Sequence, residues 1–205
     1  MFGTEFFERA AVGLPILILA LTIHEYFHAW TALKFGGPTA KDMGRLTLFP
    51  PAHLDFMGSM VMIISQFQFG WAKPVPVNPY NLRNPKVADF WISFAGPLSN
   101  IGQAIIFAIL FRVIINTGTN INPYFIKLFA AGVNINLILA FFNMIPLFPL
   151  DGSHMLRNVL SEDNQRWMDQ LDRFAPLILI MLIITGVHWI ILGPFVTVFR
   201  NILLG

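Results

Sequence analysis

His24-Glu25-Tyr26-Phe27-His28 sets two imidazoles four residues apart, with a carboxylate directly after the first. On an α-helix, positions four apart differ by about 40° around the axis, so both rings can reach one metal ion. Glu25 then stands beside that ion as a general base, and the chemistry such a pattern suggests is zinc-assisted hydrolysis. In the expected reaction Glu25 takes the proton of an attacking water, and the ion steadies the oxyanion.

Two imidazoles leave a catalytic zinc one protein ligand short. The chain has no cysteine, so the third must be His, Asp or Glu. Nothing from Ala29 to Ala40 serves, and the downstream candidates are Asp42, His53, Asp55, Asp151 and His154. Asp151 is the best of these on position. It follows Asn143-Met144-Ile145-Pro146-Leu147-Phe148-Pro149-Leu150, where two prolines must break a helix, and Gly152 permits a tight turn after it. The plain alternative makes Asp151 an N-cap for the amphipathic segment 152–172.

The motif lies in a stretch too apolar for a soluble enzyme. Leu14 to Ile23 is nearly all hydrocarbon, and a carboxylate at bilayer depth costs about 2.5–3.5 kcal/mol on insertion scales. The 205 residues are 56% hydrophobic and 12% charged, with a mean hydropathy of +0.65. Soluble domains carry about 25% charged residues, so the composition points to a membrane protein. A net charge of +2, scattered along the chain, does not suggest nucleic-acid binding.

Four spans of bilayer length are expected, at about Ala10–Phe35, Ala88–Ile115, Phe125–Phe148 and Phe174–Val198. The first is no cleavable signal, because Glu5 and Glu8 replace a basic amino-terminal region. Residues 56–69 are apolar but too short to cross, and a re-entrant element fits them better. Lys34, Lys41, Arg45, Lys73, Arg83, Lys86, Arg157, Arg166 and Arg173 all fall on one side if 56–69 does not cross, whereas 116–124 is uncharged. The positive-inside rule makes that side the cytoplasm, with both termini outside. His28 and His24 then sit roughly 10 and 16 Å inside the cytoplasmic end of their helix.

Arg45-Leu46-Thr47-Leu48-Phe49 alternates like a short strand, and Lys73-Pro74-Val75-Pro76-Val77-Asn78-Pro79 reads as an extended edge. Together with 56–69 they make a re-entrant/β-hairpin element between the first two spans. A substrate strand could pair with it by β-addition; ordinary cytoplasmic loops are the plain alternative. No repeat or linker divides the chain, so one membrane domain is expected over 1–205, with a core at about 10–157. The fold class expected is an all-α polytopic membrane protein.

Five blocks together resemble the site-2 protease family of zinc intramembrane metalloproteases. They are His24-Glu25-x-x-His28-Ala29, Gly44-Arg45-Leu46-Thr47-Leu48, Gly70 through Pro79, Ala95-Gly96-Pro97-Leu98-Ser99-Asn100, and Phe142-Asn143 with Pro149-Leu150-Asp151-Gly152. The likeness is to a compact form without a PDZ or CBS domain. It implies one Zn2+ held by His24, His28 and Asp151, with Glu25 as the base. It also implies a core of three spans and cleavage of a transmembrane segment in a partner protein. Asn100 and Asn143 fall in these blocks and are expected to polarise the scissile carbonyl or hold substrate backbone. His53, Asp55, Lys73 and Pro74 are expected to gate the site or touch substrate, with a solvated loop as the plain reading. His154 could orient Asp151 or simply face water, and Asn134 and Asn136 read as amides bonding between helices. The small size suggests a prokaryotic cell membrane. The rival readings are a membrane zinc hydrolase of a lipid or small molecule, and a non-catalytic module that binds a membrane partner.

Overall fold

An apolar run without helix-breaking pairs keeps winding, because backbone groups in hydrocarbon must bond within their own segment. Helix α1 accordingly runs over Thr4–Lys34 and tolerates Pro15 inside it. A single turn α2 (Thr39–Asp42) and a 3-10 turn at Pro50–Ala52 follow, then α3 (Phe56–Ile64), whose first turn is capped by Asp55 accepting from Gly58 N at 2.8 Å. A second 3-10 turn at Pro79–Asn81 leads into α4 (Pro85–Thr117). Helix α5 (Pro123–Asn143), two short helices α6 (Asp151–Val159) and α7 (Glu162–Asp172), and finally α8 (Ala175–Thr185) and α9 (Val187–Leu204) complete the order. This computed structural model describes residues 4–65, 70–117 and 122–205.

Helices α1, α4 and α5 pack against one another around Ile16, Ala104, Phe107, Ala108, Val133 and Leu137, and α9 adds Val196. Small residues let them approach, as membrane helices require where the surrounding solvent is itself apolar. Ala20, Ala104 and Ala140 are fully buried. A Cβ on Gly132 would come within 2.5 Å of the Phe107 ring, so only glycine fits there. Large aliphatic side chains such as Ile105, Ile106 and Ile109 instead point outward. Among the described residues, four helices are long and apolar enough to cross a membrane: Phe6–Lys34, Pro85–Thr117, Pro123–Asn143 and Val187–Leu204. The chain is therefore an all-helical, multi-pass membrane protein.

Two expectations need correction. The fourth span does not form over 174–198. Gly186 adopts φ 73°, a left-handed conformation that ends α8 after eleven residues, and the crossing helix moves to Val187–Leu204. Nor does a re-entrant/β-hairpin element form among the described residues. Residues 45–49 bend without forming a strand, α3 has nine residues, and one isolated antiparallel bridge links Leu54 to Ala72. Prolines at 50, 51, 74, 76 and 79 remove the N–H groups a ladder needs. Residues 66–69 of the expected element lie outside the described part.

Candidate metal centre

Helical spacing brings the rings of His24 and His28 to one face of α1, with their Nε2 atoms 2.9 Å apart. What each Nε2 carries follows from its partners. Gly132 O can only accept, so the Asn136 amide donates to it through Nδ2 at 2.9 Å. Asn136 Oδ1 then accepts from Asn100 Nδ2 at 3.0 Å, which turns Asn100 Oδ1 toward His24 Nδ1, 2.6 Å away. His24 must therefore hold its proton on Nδ1 and leave Nε2 bare. His28 reaches the same state by another route, since its Nδ1 faces the carbonyl of Ile92 at 2.7 Å. Two buried lone pairs thus point into one space.

Asp151 closes the third side. Helix α5 stops at Asn143, Pro146 and Pro149 prevent its resumption, and α6 starts at Asp151 itself. The return is tight: a Cβ on Gly152 would lie 2.5 Å from Ile145 O and closer still to Met144 O. Leu150 is the N-cap, so Asp151 is free of the capping role allowed by sequence. Its Oδ2 lies 3.2 Å from His24 Nε2 and its Oδ1 3.4 Å from His28 Nε2. Asp151 Oδ2 is buried without a hydrogen-bond partner.

These groups fit a resident zinc ion. Two bare ring nitrogens and an ionised carboxylate repel one another unless a cation stands among them, and two His with one carboxylate is a catalytic zinc set. Their ligand atoms all lie within 4.8 Å of one another. Helix α4 leaves the room required, because a Cβ on Gly96 would sit 2.6 Å from His24 Nε2 and nearer to His28 Nε2. Glu25 is buried one residue beyond His24, roughly 100° around α1. Leu21, one turn earlier on that side, lines a cleft of about 600 Å3 between α1, α5 and the α8–α9 turn.

The other expected site residues lie elsewhere or act differently. Asn100 is fully buried and commits both amide atoms to His24, Asn136 and Ala20 O. It holds the His24 ring, and no amide hydrogen remains to donate to a substrate carbonyl. Asn143 Nδ2 bonds back to Leu139 O within its own helix. His53 is fully buried, with Nε2 at 2.7 Å from Thr47 O and its carbonyl accepting from Lys73 N at 2.8 Å. Asp55 caps α3, and the carbonyls of Lys73 and Pro74 accept from the Arg45 guanidinium at 2.6 and 3.2 Å. These four tie the loop between α1 and α4 together and do not join the His24–His28–Asp151 group.

Sequence reasoning missed the wall formed by Gly96 and the anchor provided by Ile92 O. It also missed a polar clamp between α6 and the first turns of α4. There Asp89 of α4 accepts from Asn158 Nδ2 at 2.5 Å and lies 3.4 Å from His154 Nδ1, and that hydrogen bond raises the His154 imidazole's pKa. The Ala-Gly-Pro block at 95–97 was the available signal for Gly96; none existed for a backbone carbonyl.

Residues 112–186 match the model of peptidase family M50. The "Putative zinc metalloprotease YwhC" of Bacillus subtilis is 34% identical over 192 residues, covering 92% of this chain and 87% of that protein. Zinc metalloprotease MJ0392 of Methanocaldococcus jannaschii is 28% identical over 152 residues, 74% of this chain and 35% of that one. The "Putative zinc metalloprotease Rip2" of Mycolicibacterium smegmatis is 27% identical over 189 residues, 85% of this chain and 69% of that one. No solved structure matches the chain. A relative matched over nearly its full length, agreeing with the motifs and the converging histidines and aspartate, leaves one conclusion: the chain belongs to peptidase family M50, the site-2 proteases, and with it to the zinc metalloendopeptidases.

Proposed function

We propose that the protein cleaves a membrane-embedded segment of a partner protein near the cytoplasmic side of a prokaryotic cell membrane, with His24, His28 and Asp151 as zinc ligands and Glu25 as the base. The observation that carries this reading is the convergence of two imidazole Nε2 atoms and the Asp151 carboxylate beside a helix long and apolar enough to cross a bilayer. We read the whole chain, 1–205, as one functional unit.

When bound, zinc supplies Lewis-acid polarisation of the peptide carbonyl and of water. Every other task falls to the chain. Asn100 and Ile92 O lock the two imidazoles in the ligating tautomer. Glu25 accepts the proton of the attacking water and returns it to the departing amide nitrogen. The apolar cleft beside Leu21 excludes bulk water and takes a hydrophobic segment. A substrate helix hides its carbonyls in its own hydrogen bonds, so it must enter at least partly unwound.

Glu25→Gln in the full-length protein is expected to retain zinc, read by metal analysis, and to abolish cleavage of a reconstituted single-span substrate. Unchanged cleavage would overturn the assignment of the base. Cleavage of lipid with no cleavage of the peptide would replace the proposed substrate class.

A further inference from the structure

Helix α6 begins at Asp151, so whatever fixes α6 also aims the carboxylate. Its position along the chain is set by backbone, since Gly152 packs directly against Met144 O and Ile145 O. Rotation of α6 about its own axis is a separate freedom. A carboxylate oxygen lies about 5 Å from that axis, so a turn of roughly 10° carries it about 0.9 Å. That exceeds the roughly 0.5 Å within which a functional constellation must be held.

The restraint on rotation sits at the other end of the helix. Asn158 is seven residues beyond Asp151, two turns along and only about 20° around, and His154 lies between them on the same side. Both meet one oxygen of Asp89. Asn158 Nδ2 donates to Asp89 Oδ2 at 2.5 Å, and His154 Nδ1 stands 3.4 Å from the same atom. Apart from Asp151 itself, no other α6 side chain bonds to a membrane-spanning helix among the described residues; Arg157 pairs instead with Asp169 and Asp172 of α7. Helix α4 supplies the matching face. Asp89, Gly96 and Asn100 fall within about 40° of one another around it. Gly96 lies against both imidazoles, and Ile92 O and Asn100 hold their Nδ1 atoms. Seven residues from Gly96 back to Asp89 match seven from Asp151 on to Asn158, about 10.5 Å along each helix. One face of α4 thus references all three groups of the centre, the rings directly and the carboxylate through Asp89.

We infer that Asp89 is a positioning residue for the metal centre: by holding Asn158 and His154 it sets the rotation of α6, and so the direction of the Asp151 carboxylate. The inference rests on the zinc reading of the His24–His28–Asp151 group. Asp89 acts only through α6. Its contacts are partly exposed, and such pairs add little to global stability, so its effect is read in metal binding.

The test uses the full-length protein in detergent micelles. Zinc affinity is read by chelator competition, and the visible spectrum of the Co2+-loaded protein reports the arrangement of the ligands. Asp89→Leu should weaken zinc binding about tenfold or more and alter the cobalt bands. Asn158→Leu should act in the same direction. The double variant should be no worse than the poorer single one, because both remove the same contact. Arg157→Met is the control: it breaks two ion pairs of the same helix on its α7 side, so Tm should fall while zinc affinity stays within twofold and the cobalt spectrum is unchanged. Zinc affinity within twofold of wild type in both leucine variants would overturn the inference, as would a loss in Arg157→Met as large as that in Asp89→Leu. If Asp89→Leu does not fold, Asn158→Leu against Arg157→Met decides alone. A wild-type protein that binds no zinc would instead overturn the reading of the centre itself.

Discussion

Replacing Gly96 by alanine adds one methyl group at the point where α4 passes the paired histidines. The new Cβ would stand 2.6 Å from His24 Nε2, against an ordinary contact of 3.4 Å or more, and closer still to His28 Nε2. His24 must therefore move by about 0.8 Å, yet Ile92 O and Asn100, one turn to either side of Gly96 on the same face of α4, already hold the two rings by their Nδ1 atoms. Misplacement by about 1 Å at a reacting centre costs on the order of 100-fold in rate, and disturbing the support of a metal ligand costs about 10- to 100-fold in affinity. Gly96→Ala is therefore expected to weaken zinc binding at least tenfold in a chelator competition, and to lower turnover of a membrane-embedded substrate by about 100-fold. Alanine is the better helix former by about 1 kcal/mol, so α4 itself should not suffer and thermal unfolding should stay close to wild type. Zinc affinity and turnover both within twofold of wild type would refute the geometry of the centre.

Asn100→Leu removes the acceptor that fixes His24 in its ligating tautomer; a tenfold or greater loss of zinc affinity is expected by competition titration, and an unchanged affinity would detach Asn100 from the site. The clamp between Asp89 and His154 is a pH-dependent contact. Because its folded pKa is raised, His154 contributes stability that is fully present below its ordinary value of 6.5 and is lost as pH rises through the raised value. The Tm difference between wild type and Asp89→Asn should accordingly shrink from pH 6 toward alkaline conditions, and a difference that grows would contradict the pairing. Gly186→Val forces a β-branched residue to φ 73°, so Tm should fall while zinc content holds, whereas an unaltered Tm would argue against the left-handed break.

What sequence alone decides about this protein is local. Two histidines four apart share a helix face whatever surrounds them, and an apolar run of bilayer length must wind into helix in lipid. Proline pairs stop helices through covalent geometry, which is why the end of α5 before Asp151 was readable. The hairpin failed for the same reason read too lightly: alternation at 45–49 suggests a strand, but five prolines in the facing segments leave few donors to pair. The interior break at Gly186 was equally hidden, since glycine occurs within membrane helices as well as at their ends.

Only the tertiary structure decided how the helices register against one another. Asn100 meets His24 across 76 residues, Ile92 O meets His28 across 64, and Gly96 stands where any side chain would collide with both rings. Those relations set the tautomer and direction of both rings and the space between them, and they commit Asn100 to His24 Nδ1 instead of the substrate contact expected of it. Their cause is packing: small residues on α1, α4 and α5 fix the depth at which one helix slides past the next, and that sum over many weak contacts has no signature in any single stretch of chain.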